Sequence, residues 1–168
     1  MDAENLRALQ APLKEKYRAD AQSAVVTLFA QGDVSGDGLA CKVSTSRALV
    51  EAGLHPATGG TGMQACSGDM LLEALVACAG VTLKAVATAL EFKFSGGAVR
   101  AEGDLDFRGT LGVAKDAPVG FTAIRLVFDL DTDEPQERID ALTKLTERYC
   151  VVFQTLAKPP QIALTVKR

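Results

Sequence analysis

The run MLLEALVACAGVTLKAVATAL, from Met70 to Leu90, limits the folds open to this chain more than any other segment. Its apolar residues occupy most of a helical circumference, and a helix that is hydrophobic nearly all round has to be buried. Leu71, Leu72, Leu75, Cys78, Ala79 and Thr82 form one apolar side, and the many alanines allow another element to approach closely. Ser67 and Asp69 are both good N-cap residues, so the pattern predicts a central helix from Ser67 or Asp69 to Glu91. Only ten uncharged residues separate Glu73 from Lys84, against the roughly 20 that a membrane span needs.

At 168 residues the chain suits one domain, 1–168, long enough to bury a core around that helix. A net charge of −3 without clustered Lys or Arg argues against a nucleic-acid binder, since phosphate contacts need a dense basic face. The opening MDAENLRALQ has neither the basic region nor the apolar core of a secretory signal. A cytoplasmic protein is therefore expected, with no membrane partner and with reduced thiols.

Around the central helix the periodicities change. Residues 4–19 place Leu6, Leu9, Leu13 and Tyr17 at helical spacing, an added N-terminal helix with a bend or break at Pro12. SAVVTLFAQGD reads as a strand, and GLACKVSTSRALVEAG as a second and a third, before the glycine-rich TGGTG. GAVRAEGDLDFRG and FTAIRLVFDLDTD alternate apolar with polar residues as half-exposed antiparallel strands do, with a PVG turn between them. Pro135 starts a helix carrying Ile139, Leu142, Leu145 and Tyr149, and CVVFQTLA is a second short helix ended by Pro159 and Pro160. QIALTVK reads as a closing strand. Strands, long helix, strands, helices and strand in that order make an α+β fold with mainly antiparallel sheet.

The four cysteines are Cys41, Cys66, Cys78 and Cys150. No Cys-x-x-Cys pair exists and His55 is the only histidine, so a four-ligand zinc site has little support. Taken alone, Cys78 reads first as a buried packing residue, since free cysteine behaves as a small hydrophobe, with a redox pair of Cys78 and Cys150 as the other reading. Inert packing is the expectation for Cys41 and Cys66, and His55 in GLHPATGG reads as a loop residue.

SGDMLLEALVACAGVTL, the strand pair around DFRG, and ERYCVVFQTL together resemble the OsmC/Ohr family, the osmotically induced and organic hydroperoxide resistance proteins. The resemblance spans roughly residues 23–167 in element order. It implies an interlocked homodimer whose sheets wrap central helices, with the sites at the subunit interface. It also implies a thiol peroxidase in which Cys78 is peroxidatic and Cys150 resolving. Hydroperoxides of fatty-acid type are then the substrates, and an external dithiol, of lipoyl type, the reductant; no cofactor or metal is implied.

Two further positions carry over from the family pattern. The acidic residue it places near the start of the long helix corresponds to Asp69, whose other reading is a simple N-cap. Nine residues of helix put Asp69 about 13 to 14 Å along the axis from Cys78, too far for contact within one subunit. The family's activating arginine has no counterpart in GDVSGDGLACKV, and Arg47 is the only arginine between Arg18 and Arg100. Arg47 is the first candidate for that role, with Arg108 and Arg148 behind it, because an unassisted buried thiol stays protonated. The lack of a well-placed arginine also keeps open a non-catalytic dimer that binds an apolar or thioester-bearing small molecule at its interface.

Overall fold

The computed structural model describes residues 3–33, 42–43 and 52–166. The N-terminal helix α1 spans Ala3–Ala19 and continues through Pro12, so the proline does not break it. Its Tyr17 is buried beside Leu13 and donates its hydroxyl to the carbonyl of Ala57 at 2.7 Å, which ties the helix to the body.

Strands β1 (Val25–Asp33), β2 (Lys42–Val43), β5 (Gly96–Asp106) and β6 (Phe121–Asp131) form one antiparallel sheet in the order β2-β1-β5-β6. Two short strands, β3 (Ala52–Gly53) and β4 (Ala65–Cys66), pair in parallel. Between them, residues 58–62 of the TGGTG stretch form a tight turn that glycine permits. Gly59 ends a 3-10 turn at φ 92, and a Cβ on Gly60 would lie 1.6 Å from the backbone oxygen of Leu54.

The period-two pattern of β5 decides what each sheet face meets. Val99 and Ala101 are fully buried, with Phe128 and Leu126 opposite them on β6 and packed against the same core. The other face carries a charge ladder in which Arg125 bridges Glu102 and Asp104, Thr27 donates to Asp104, and Arg100 pairs with Asp129. On the buried face lies α2 (Ser67–Ala89), whose Leu72, Leu75, Val76, Ala79 and Leu83 are at most 1 % exposed. Full burial of a leucine contributes about 1.5 to 3 kcal/mol, so this helix dominates the core. Leu71, assigned to the apolar side by sequence, is 38 % exposed, because the burial stripe runs through Leu72 and Leu75 instead. By length and composition alone α2 would also cross a membrane, yet half of its apolar window is buried inside the fold, as in a core helix.

After β5 the chain departs from the expected hairpin. Asp106 accepts the backbone N–H of Arg108 and so starts a one-turn helix, α3 (Phe107–Thr110), which pulls the FRG residues out of strand conformation. Helix α4 (Gln136–Tyr149) begins after Pro135, and α5 (Val151–Ala157) follows with only Cys150 between them. QIALTVK forms no strand among its described residues: 161–166 are exposed and without regular structure, Ile162 at 91 %. Among the described residues no strand pairs with this segment.

Candidate thiol site

Cys78 lies midway along α2, half-buried and facing α5. Cys150 is buried and serves two helices at once. Its backbone, at φ −73 and ψ 108, leaves the helical region, ending α4 with an N–H bond to the Thr146 carbonyl. Its sulfur then caps α5 by accepting the N–H of Phe153 at 3.5 Å. The break sets the start of α5 against α2, so that the Val151 and Val152 amides and the Cys150 thiol act on the Cys78 sulfur. Two cysteines 72 positions apart therefore meet.

The pair is electrostatically unequal. Burial pushes the Cys78 thiol up, but the Val152 N–H, the Cys150 thiol, the Val151 N–H and the Thr82 hydroxyl together outweigh it and bring Cys78 below the ordinary thiol value. For Cys150 burial dominates, only partly offset by the Phe153 N–H, and donation toward Cys78 adds to it; the thiol is pushed up to about 11. Within the pair Cys78 is the more readily ionised thiol, and Cys150 the one that keeps its proton.

No charged side chain acts on Cys78 among the described residues. Arg47 and Cys41 lie outside them. Arg108 is engaged by Asp106 through two nitrogens of its guanidinium, which keeps Asp106 below the usual carboxylate range, and Arg148 is exposed over the ring of Tyr149. Asp69 occupies the first turn of α2 without capping it; the N-cap is Cys66, which is half-buried and makes no capping bond with its side chain. Burial raises the Asp69 carboxyl, and the field of His55 partly offsets this. His55 lies in a loop as expected, anchored there: its Nδ1 accepts the Ala57 N–H at 3.0 Å and its ring stacks on Phe107 at 4.9 Å.

An open cleft of about 320 Å³ lies where α2, β6 and α5 come together, lined among others by Leu75, Phe121, Ile124, Leu126, Phe153 and Leu156. Leu75 is one helical turn before Cys78, and Phe153 is the residue whose amide binds the Cys150 sulfur. Neither cysteine lines the cleft, which meets the thiol-bearing elements through these two neighbours. Sequence reasoning missed the Val151 and Val152 amides, which carry no residue-type signal, and counted Thr82 only as part of an apolar side.

A family model described as OsmC-like protein matches residues 60–165, which include α2, both strands of the β5–β6 pair and both thiols. No curated protein matches the chain.

Proposed function

The chain belongs to the OsmC-like protein family, which includes peroxidases, and from that premise we propose that it is a thiol peroxidase reducing organic hydroperoxides through Cys78 and Cys150. The observation that carries the reading is the contact between a thiol shifted toward thiolate and a second, protonated thiol. The Cys78 thiolate attacks the outer peroxide oxygen; an S–O bond forms as the O–O bond breaks, and the alkoxide leaves as an alcohol after taking a proton. Sulfur is oxidised by two electrons to sulfenic acid. Cys150 then displaces water to form the Cys78–Cys150 disulfide, and an external dithiol, of lipoyl type, restores both thiols by exchange while becoming a disulfide itself.

The apolar cleft supports substrates with a hydrocarbon body, of the fatty-acid hydroperoxide kind. Asp69 serves by orienting a cation or by acting across a subunit boundary, and Arg47 is the arginine proposed to supply that cation. The working unit is a cytoplasmic homodimer. Its support is the alternating Ile162, Leu164 and Val166, exposed at 91, 88 and 75 %, an unpaired apolar segment that a second subunit would cover.

One equivalent of cumene hydroperoxide added to reduced protein should give a species about two mass units lighter, with peptide mapping joining Cys78 to Cys150. Cys78→Ser should abolish peroxide consumption, and Cys150→Ser should let Cys78 proceed to overoxidised forms. Reduced protein that stays unmodified for many minutes, or that links Cys66 instead, refutes the peroxidase. The same cleft, with no described cation at Cys78, then favours a non-catalytic dimer that binds an apolar or thioester-bearing small molecule.

A further inference from the structure

We propose that Gln154 is a positioning residue for the second step of the thiol reaction: its side chain ties α5 back to α4 and holds the elbow that keeps Cys150 beside Cys78. The purpose rests on the peroxidase reading; the geometry does not. In a continuous helix the Val151 N–H would bond the carbonyl of Glu147, one turn earlier. The extended backbone at Cys150 breaks that register, and the Gln154 side-chain amide bonds the Glu147 carbonyl at 2.9 Å. The Gln154 backbone N–H bonds the Cys150 carbonyl, also at 2.9 Å, so one residue grips the elbow at two points.

Such a tie matters because α5 has seven residues, none of them fully buried, and is too short to hold helical structure by itself. Its Val152, Phe153 and Leu156 pack only as partly buried side chains on the core cluster that contains Cys150 and that Cys78 also touches. Its N-cap is the Cys150 sulfur, which accepts the Phe153 N–H at 3.5 Å. That cap depends on the reacting atom. When Cys150 gives up its proton and its sulfur attacks the sulfenic sulfur of Cys78, an S–S bond forms, the S–O bond breaks, and the hydroxide leaves as water with that proton. The Gln154 side-chain bond involves no reacting atom, so it holds the elbow before and after closure.

The test compares the wild type with Gln154→Met, which keeps the length and removes the donor, and with Gln154→Lys, which restores a donor suited to the last carbonyls of a helix. Gln136→Met, at an exposed glutamine of α4 that bonds Asp140, is the control. In a glutathione buffer, two glutathione thiols reduce the Cys78–Cys150 disulfide and join as glutathione disulfide, an equilibrium that needs no peroxide. Gln154→Met should shift it about threefold toward the protein dithiol, the effect of one lost hydrogen bond, and Gln154→Lys should recover at least about half of that shift. With cumene hydroperoxide, the Gln154→Met disulfide step should slow more than the first step, so that Cys78 sulfenic acid trapped by dimedone rises about threefold. Should Gln154→Met not fold, Gln154→Glu, which offers no donor at neutral pH, is read by the same equilibrium.

An unmoved equilibrium in Gln154→Met overturns the inference. So does an equal shift in Gln154→Lys or Gln136→Met, which would assign the effect to packing or to the helix surface at large, and so does equal slowing of both steps. A wild type that consumes no peroxide while the Gln154→Met equilibrium still shifts would refute the peroxidase and leave the role of Gln154 standing.

Discussion

Limiting alkylation of the reduced protein at pH 8 should label Cys78 well ahead of Cys150, and the preference should collapse as the pH is raised. With the Cys150 thiol at about 11, roughly one molecule in a thousand carries its thiolate at pH 8. Cys78 lies below the ordinary 9.0, so at least about one in ten of its thiols is ionised at that pH. The populations therefore differ by about a hundredfold or more. Nucleophilicity works the other way: a slope of ~0.4 to 0.5 per unit over two units returns about eightfold to Cys150. The net preference is at least about tenfold, widened further by the burial of Cys150 at 1 % exposure. Above about pH 9 Cys78 gains little more, while Cys150 thiolate still rises about tenfold per unit until about pH 11, so the ratio should fall toward one. Peptide mapping after sub-stoichiometric iodoacetamide measures both labels in one sample. Equal or greater labelling of Cys150 at pH 8, or a ratio that does not change up to about pH 11, would falsify the assignment of nucleophile and partner.

Asp106→Ala should destabilise the fold by about 2 kcal/mol in urea titrations, since it removes both the α3 cap and the acceptor for Arg108, whereas Asp106→Asn, which keeps a cap, should cost less than half of that. The Asp106 carboxyl is held low chiefly by its bond to Arg108, so its contribution is present above the unfolded value of about 3.9 and is lost as pH falls through the lower folded value. In Asp106→Ala the stability should therefore fall less between about pH 4 and about pH 2 than in the wild type. Ending the chain after Pro160 should shift sedimentation from a dimer toward a monomer slightly lighter than the full 17.6 kDa subunit, and an unchanged dimer would place the interface elsewhere.

Local signals that rest on periodicity or on a single backbone rule are legible in the residues themselves. The alternation in β5 and β6, the continuous apolarity of α2 and the Pro135 start of α4 each depend on residues within a few positions of one another. Where a non-local or competing term enters, the expectation fails. Pro12 does not break α1, because the tertiary contacts of Tyr17 hold the helix that the proline weakens. The residues after Asp106 leave the strand once that carboxylate caps α3, a choice between two short-range options that alternation alone cannot rank.

By itself the sequence determined the α+β class, the central helix, and the two thiol segments that mark the family, because each is written in spacing or residue type. Tertiary structure alone decided that Cys78 lies beside Cys150, and which of the two gives up its proton more readily. The physical reason is that an acid's ionisation depends on what donates to it and on how much water it loses. The groups that act on Cys78 include the Val151 and Val152 amides, which every residue but proline possesses. Such groups acquire a role only when an extended backbone at Cys150 turns α5 toward α2.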